Sequence, residues 1–239
     1  MSLLLPWLGV VAGTGLRSAR LILEVPCRAH YRQWSDLRAT SRRHLEPYEP
    51  QWATDELSRA AFRRRLRRYA FERREDMGFA YFVTRKDDGI LVGGVTLSAV
   101  RRGVTQSASV GYWIGSPYIR QGYASEALRV VLAHAFTNLG LHRVEAACMP
   151  RNGASIAVLE GATFRREGLA RRYLKINGRW EDHLLYARLA EDGAVENHQK
   201  PPARPDDEGW QPSSPDPVSE TNLDVTVMAK SDNAESRAA

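Results

Sequence analysis

The stretch Gly111-Tyr-Trp-Ile-Gly-Ser-Pro-Tyr-Ile-Arg-Gln-Gly-Tyr-Ala-Ser-Glu-Ala-Leu128 changes its hydrophobic period part-way along, and that change decides the fold. Val110, Tyr112 and Ile114 fall on one side of a two-residue repeat rich in aromatic and branched residues, which predicts a strand over 108–114. Gly115-Ser-Pro117 interrupts it. Beyond Arg120-Gln-Gly-Tyr-Ala-Ser125, apolar residues recur at helical spacing, at Leu128, Val131, Leu132, Ala135 and Phe136. The order is strand, tight loop, helix N-terminus.

That order has a chemical use. The first turn of a helix leaves backbone N–H groups unpaired, and the helix dipole places partial positive charge beside them. Gly122 lets the main chain approach an anion closely, Ala124 keeps the next turn uncluttered, Ser125 supplies a hydroxyl and Arg120 adds a fixed charge. On these residues alone, a pyrophosphate site and an ordinary strand-to-helix corner stand level.

Composition narrows the field. The 239-residue chain is 43% hydrophobic, ample for a packed core. Residues 1–189 hold 30 Lys+Arg against 17 Asp+Glu, a charge of +13, while 190–239 hold 4 against 11, or −7. A basic body thus carries an acidic tail, which favours acidic or RNA-bearing partners without naming them. The two cysteines, Cys27 and Cys148, have no paired ligand spacing, so neither a disulfide scaffold nor a metal site is expected and a reducing, cytoplasmic setting fits. No stretch reaches the apolar length of a membrane span.

Taken in order, residues 1–17 read as a flexible apolar leader whose Leu3–Ala12 centre lacks the basic residues that precede a signal-peptide core. Residues 19–25 predict a first strand and 30–43 a short helix, followed by the stiffened loop His44-Leu-Glu-Pro-Tyr-Glu-Pro50. Asp55 opens a helix to about Glu75, with Ala60, Ala61, Leu66, Tyr69 and Ala70 as its expected buried side. Its arginines, from Arg59 to Arg74, read equally as a solvated face or as an rRNA contact. Strands are expected at 79–85, 89–97, 108–114 and 142–148, helices at 120–138 and 152–160, and a closing hairpin over 164–189 turned at Asn177-Gly178. Beyond Leu189, six prolines between Pro201 and Pro217 and the loss of periodicity predict a disordered, Pro-rich acidic tail over 190–239.

The run Arg120-Gln-Gly-Tyr-Ala-Ser-Glu-Ala127 resembles the acetyl-CoA pyrophosphate loop of the GCN5-related N-acetyltransferases, written Gln/Arg-x-x-Gly-x-Gly/Ala. Leu141–Asn152, Ser155, Phe164–Gly168, Tyr173–His183 and His44–Pro50 are similar to the branch that acetylates the N-terminal alanine of a small-subunit ribosomal protein. The resemblance covers residues 18–189. It implies a mixed α/β fold, with a largely antiparallel sheet of about seven strands flanked by helices, acetyl-CoA as co-substrate, and a ribosomal-protein N-terminus, alone or on the ribosome, as partner.

The resemblance also implies roles. Main-chain groups of Tyr112, Trp113 and Ile114 would pair with the pantetheine arm, Arg120, Gln121, Gly122, Tyr123, Ala124 and Ser125 would hold the pyrophosphate, and Asn152 would bond the cofactor where two central strands part. Ser155 would assist the departing thiolate. A Tyr seven residues past the Asn serves other branches, and Leu159 stands there. For the base, Glu145 is first choice, as a strand carboxylate between apolar neighbours, with Glu49 and Glu167 behind it. His183 is read as structural and Cys148 as a small core residue. Three positions depart from the pattern: Ile119 for Gln or Arg, Ala124 for the second loop Gly, and Thr163 for the Gly before Phe164. Two rivals stay open, a small-molecule amine as acceptor and a ribosome-assembly module acting through its arginine face.

Overall fold

In the computed structural model, residues 15–193 are described, and they form one eight-stranded sheet in the order β1-β2-β3-β4-β5-β6-β8-β7. The strands are β1 (Leu16–Arg17), β2 (Leu21–Glu24), β3 (Phe79–Arg85), β4 (Leu91–Arg101), β5 (Ser107–Ile114), β6 (Arg143–Cys148), β7 (Arg165–Ile176) and β8 (Arg179–Leu189). Every neighbouring pair is antiparallel except β5 and β6. The expected mixed, mainly antiparallel sheet is therefore found, with one strand more than anticipated. The extra one is β1, a two-residue strand along the outer edge of β2 that places ordered structure ahead of position 18: Leu16 pairs with Leu23 and Arg17 with Ile22. The leader's residues 1–14 and the tail's residues 194–239 lie outside the described residues.

Helices cover both faces. On one, α4 (Tyr123–Ala133), continued by a π turn at His134–Asn138, and α5 (Gly153–Gly161) pack on a core that includes Leu21, Val95, Val110, Leu128, Leu132, Val144 and Leu159. On the other, α1 (Tyr31–Thr40) and α3 (Arg59–Arg74), with the one-turn α2 (Arg42–Leu45) between them, enclose Trp34, Leu37, Phe62, Phe82, Leu91 and Trp113. Ser58, not Asp55, caps α3, its side chain accepting from the Ala61 N–H. The face of α3 also differs from expectation. Phe62 is its one fully buried residue, its ring tilted against Trp34 at 4.8 Å and stacked on Phe82 at 6.2 Å, while Ala60 and Ala70 are exposed. A single large ring buries more apolar area than alanine methyl groups can, and the helix rolls to seat it.

Two backbone details set local energetics. Gly93 lies where a Cβ would stand 2.2 Å from the Trp113 carbonyl oxygen, so β4 and β5 approach each other only because that side chain is missing. Thr163, at the end of α5, holds φ +61, while the N–H groups of Thr163 and Phe164 bond back to Glu160 and Leu159. The left-handed position that closes this helix thus falls on a branched residue. We expect Gly93→Ala to lower stability by about 1–3 kcal/mol through overpacking and Thr163→Gly to raise it by about 1 kcal/mol. Thermal melting measures both, and a Gly93→Ala protein as stable as wild type contradicts the close-approach reading.

Candidate active site

The parallel ladder between β5 and β6 is short. Ser107, Ala108 and Ser109 face Arg143, Val144 and Glu145, and there the pairing stops. β5 runs on to Ile114 and β6 to Cys148, each held only on its outer side, by β4 and β8. Between them is a gap edged by the main chain of Val110–Ile114. Obligatory backbone donors and acceptors on that edge lack a strand partner, so an extended chain of alternating amide groups can occupy it.

Just beyond the end of β5 sits the N-terminus of α4. Its N-cap, Gly122, is in the left-handed region at φ +79, Arg120 is also left-handed at φ +60, and no side chain caps the helix. The first intrahelical bond back to Gly122 comes from Glu126, which leaves the N–H groups of Tyr123, Ala124 and Ser125 unpaired by the helix. Arg120, Gln121 and Gly122 are exposed around them. This is the geometry of an anion cradle.

Arg20 completes the cradle, and it was missed in the sequence because it lies a hundred residues away. Its guanidinium donates to the Gln121 carbonyl at 3.1 Å and to Glu126 at 2.7 Å, stands over the Tyr123 ring, and places its Nη2 beside Gly122. Glu126 is buried in the first turn, where it also accepts from Ser18 and from the Arg20 N–H. Burial raises its carboxyl, but the hydrogen bonds from Ser18 and Arg20 outweigh that and hold it below the usual range.

Across the gap, Asn152 caps α5, its Oδ1 accepting from the Ser155 N–H at 3.1 Å. Its side-chain Nδ2 has no partner among the described residues, while its backbone N–H donates to the Met149 carbonyl. Ser155 Oγ lies 2.9 Å from the Tyr112 hydroxyl, which also reaches the Ser155 carbonyl at 3.2 Å. Tyr112 was expected to act through its main chain; its side chain bridges the gap as well. Burial raises that phenol further above neutrality, so it stays a donor. Burial pushes the Cys148 thiol up to about 11, against a smaller lowering influence of Ser155, which suits a core residue and not a nucleophile.

The carboxylates proposed as base are engaged elsewhere. Glu145 accepts from Arg101 at 2.9 Å and from Arg143 at 2.8 Å, and Arg143 also grips Glu167. The apolar neighbours Val144 and Ala146 point to the opposite face, so the expected apolar setting for Glu145 is absent: on a strand the relevant neighbour is two residues away, and that is Arg143. Glu49 receives both Nη atoms of Arg38, at 3.0 and 2.6 Å, and Trp52 Nε1 at 2.8 Å. Its carbonyl accepts from the Asn177 N–H, which ties the 46–50 loop to the β7–β8 turn. Among the described residues there is no cluster of His, Cys, Asp and Glu able to hold a metal.

Residues 20–165 match the model of the acetyltransferase (GNAT) domain. The chain belongs to the GNAT acetyltransferase family. It is 37% identical over 156 residues to the probable N-acetyltransferase YjcK of Bacillus subtilis (strain 168), covering 65% of this chain and 86% of the relative. It is 29% identical over 158 residues to the [Ribosomal protein uS5]-alanine N-acetyltransferase of Escherichia coli (strain K12), covering 66% and 81%. Among solved structures, RimJ of Mycobacterium smegmatis in complex with CoA-disulfide superimposes with a TM-score of 0.69 at 35% identity, over 72% of this chain and 83% of that one. The ribosomal-protein-S5-alanine acetyltransferase of Vibrio fischeri gives a TM-score of 0.70 at 28% identity, over 75% and 98%.

For this GNAT chain, the cradle makes a definite forecast. Arg20→Ala removes one charge at the loop and takes from Glu126 its guanidinium partner, leaving the bonds from Ser18 and the backbone N–H, so the Kd for CoA should rise about tenfold or more, an effect of the size of one hydrogen bond to a charged group. Titration calorimetry checks it, and an unchanged Kd contradicts the assignment.

Proposed function

We propose that this enzyme transfers the acetyl group of acetyl-CoA to the N-terminal amine of a protein in the cytoplasm, by direct attack in a ternary complex. The acceptor we favour is the N-terminal alanine of a small-subunit ribosomal protein. The observation that carries the reading is the unpaired β5 edge leading straight into the α4 cradle, with Ser155 and Asn152 across the gap.

In this reading, the main chain of Tyr112, Trp113 and Ile114 pairs with the pantetheine arm. The N–H groups of the Arg120–Ser125 loop and first turn, with Arg20, bind the pyrophosphate. Asn152 donates its amide to the arm. Ser155 donates its hydroxyl to the sulfur as the C–S bond breaks, held in place by the Tyr112 phenol. The relatives support this choice of acceptor: the Escherichia coli and Vibrio fischeri proteins are named for acting on the alanine of ribosomal protein S5.

The basic helix fits a ribosomal partner more narrowly than its sequence suggested. Arg64 pairs with Asp55, Arg65 with Glu56 and Arg68 with Glu72, so much of its charge is already answered within the chain. Arg63 and Arg67 are exposed on one side and would be its contact to rRNA.

Thiol release from acetyl-CoA against alanine-, serine- and methionine-starting peptides tests the acceptor. Fast release with an alanine-starting ribosomal peptide is expected, and silence with every peptide while CoA binds contradicts the reading. Ser155→Ala should lower kcat about 10- to 100-fold, roughly 1.4–2.7 kcal/mol of barrier, with the KM for acetyl-CoA little changed. The pair Arg63→Glu and Arg67→Glu should weaken co-sedimentation with ribosomes and leave free-peptide turnover intact.

A further inference from the structure

The geometry points to His183 as the group that takes the proton from the attacking amine. This rests on the acetyl-transfer reading but not on the identity of the acceptor. It replaces the two carboxylates, Glu145 and Glu49, whose oxygens are held by arginines.

The tautomer follows from hydrogen bonding. His183 Nδ1 lies 2.9 Å from the Glu181 carbonyl oxygen, which can only accept, so Nδ1 carries the proton and neutral Nε2 carries the lone pair. Nε2 has no partner among the described residues. Among the described residues, the fully buried side-chain nitrogens left without a partner are the Nε atoms of Arg38 and Arg188, and His183 Nε2 is not among them, so that atom is not wholly covered although the residue is 3% exposed. A buried ring with one open lone pair is built to receive a proton.

Its place in the sheet is also right. Leu184 pairs with Cys148, the last residue of β6, so His183 stands just past the end of that strand, beside the loop that carries Asn152. Leu184 and Tyr186 point into the α4–α5 core with Tyr112. By alternation, His183, Leu185 and Ala187 lie on the opposite face, the face of Glu145 and Ala147. Ser155 and His183 therefore lie on opposite faces of the sheet, His183 at the end of β6 on its side away from β5. With a thioester in the gap and the Ser155 hydroxyl on its leaving-group side, an amine approaching from the other face comes in on the imidazole's side of the sheet.

The charged and titratable groups around the ring are Glu181 and Asp182 on its own strand, Arg151 from the β6–α5 loop, and Tyr173 from β7, whose ring meets it edge-on at 5.9 Å. Burial, aided by Arg151, pushes the imidazole below its usual range, against the bond to the Glu181 carbonyl and the charges of Glu181 and Asp182. The neutral form is thus the one present at pH 7. As the amine nitrogen bonds to the acetyl carbon, its proton passes to Nε2. The C–S electron pair goes to sulfur, which accepts the Ser155 hydrogen bond. Imidazolium and CoA thiolate are the immediate products, and both exchange protons with solvent.

The test is His183→Asn, whose amide keeps a donor toward the Glu181 carbonyl and removes the Nε2 lone pair. The kcat should fall about 10²- to 10⁴-fold at pH 7, with the Kd for CoA unchanged. The deficit should shrink as pH falls through the imidazole's lowered range, because a protonated Nε2 has no lone pair and the wild type then loses the same help. A deficit constant across pH, or an unchanged kcat, overturns the assignment. The assay uses alanine-starting peptide and, in parallel, spermidine, so silence on the peptide counts against the acceptor and not against His183. If the variant fails to bind CoA, diethyl pyrocarbonate on wild type decides the matter: inactivation with modification mapped to His183, slowed by acceptor, supports it. Full activity after His183 is modified refutes it.

Discussion

The structure depends on the parting of β5 from β6 after Ser109 and Glu145. A sheet gains by pairing every backbone group, and an open edge inside it is a loss unless something fills it. Here the loss is confined to the stretch that leads into the α4 N-terminus, and both sides of the opening are braced. β4 pairs with β5 from Ser107 to Ile114, and β8 pairs with β6 from Arg143 to Cys148. The gap is a rigid slot, and the chemistry follows from what its rims present.

One rim is tied to the 46–52 loop through α1. Arg38 is buried between the rings of Trp52 and Trp113 while binding Glu49, and Leu37 packs where a Cβ on Gly115 would stand. The Ser41 hydroxyl accepts from the Ser116 N–H at the start of the cofactor loop. One helix thus registers the 46–52 loop against β5. Removing one partner from a buried pair such as Arg38–Glu49 costs about 3–5 kcal/mol, which is reason enough for Glu49 to stay in that pair during turnover. The Asn177 bond to the Glu49 carbonyl carries the same registration into the β7–β8 hairpin, and so to His183.

Local pattern made much of this legible. The change of period at Gly115 and the left-handed Gly122 announce a strand, a loop and an anion-binding helix start, because backbone propensity and dipole act within a few residues. The Asn152 cap on Ser155 is legible for the same reason, the two sharing one helical turn. The base was not. Glu145 was judged by its sequence neighbours, which lie on the other face of the sheet, and Glu49 by a loop whose guanidinium partner comes from another helix. Arg20 and the Tyr112–Ser155 bridge are contacts over a long sequence separation, with no signature in either segment. Thr163 shows the converse: the sequence marks a missing glycine, and only the backbone shows that the left-handed turn forms regardless.

The most direct measurement is hydrogen–deuterium exchange with and without CoA, resolved along 105–130 and 140–160. The account predicts new protection in two separate places at once, the β5 edge at 110–114 and the helix start at 122–125, because one ligand satisfies both sets of unpaired amides. Tight CoA binding with those amides exchanging as fast as in the free enzyme would contradict it.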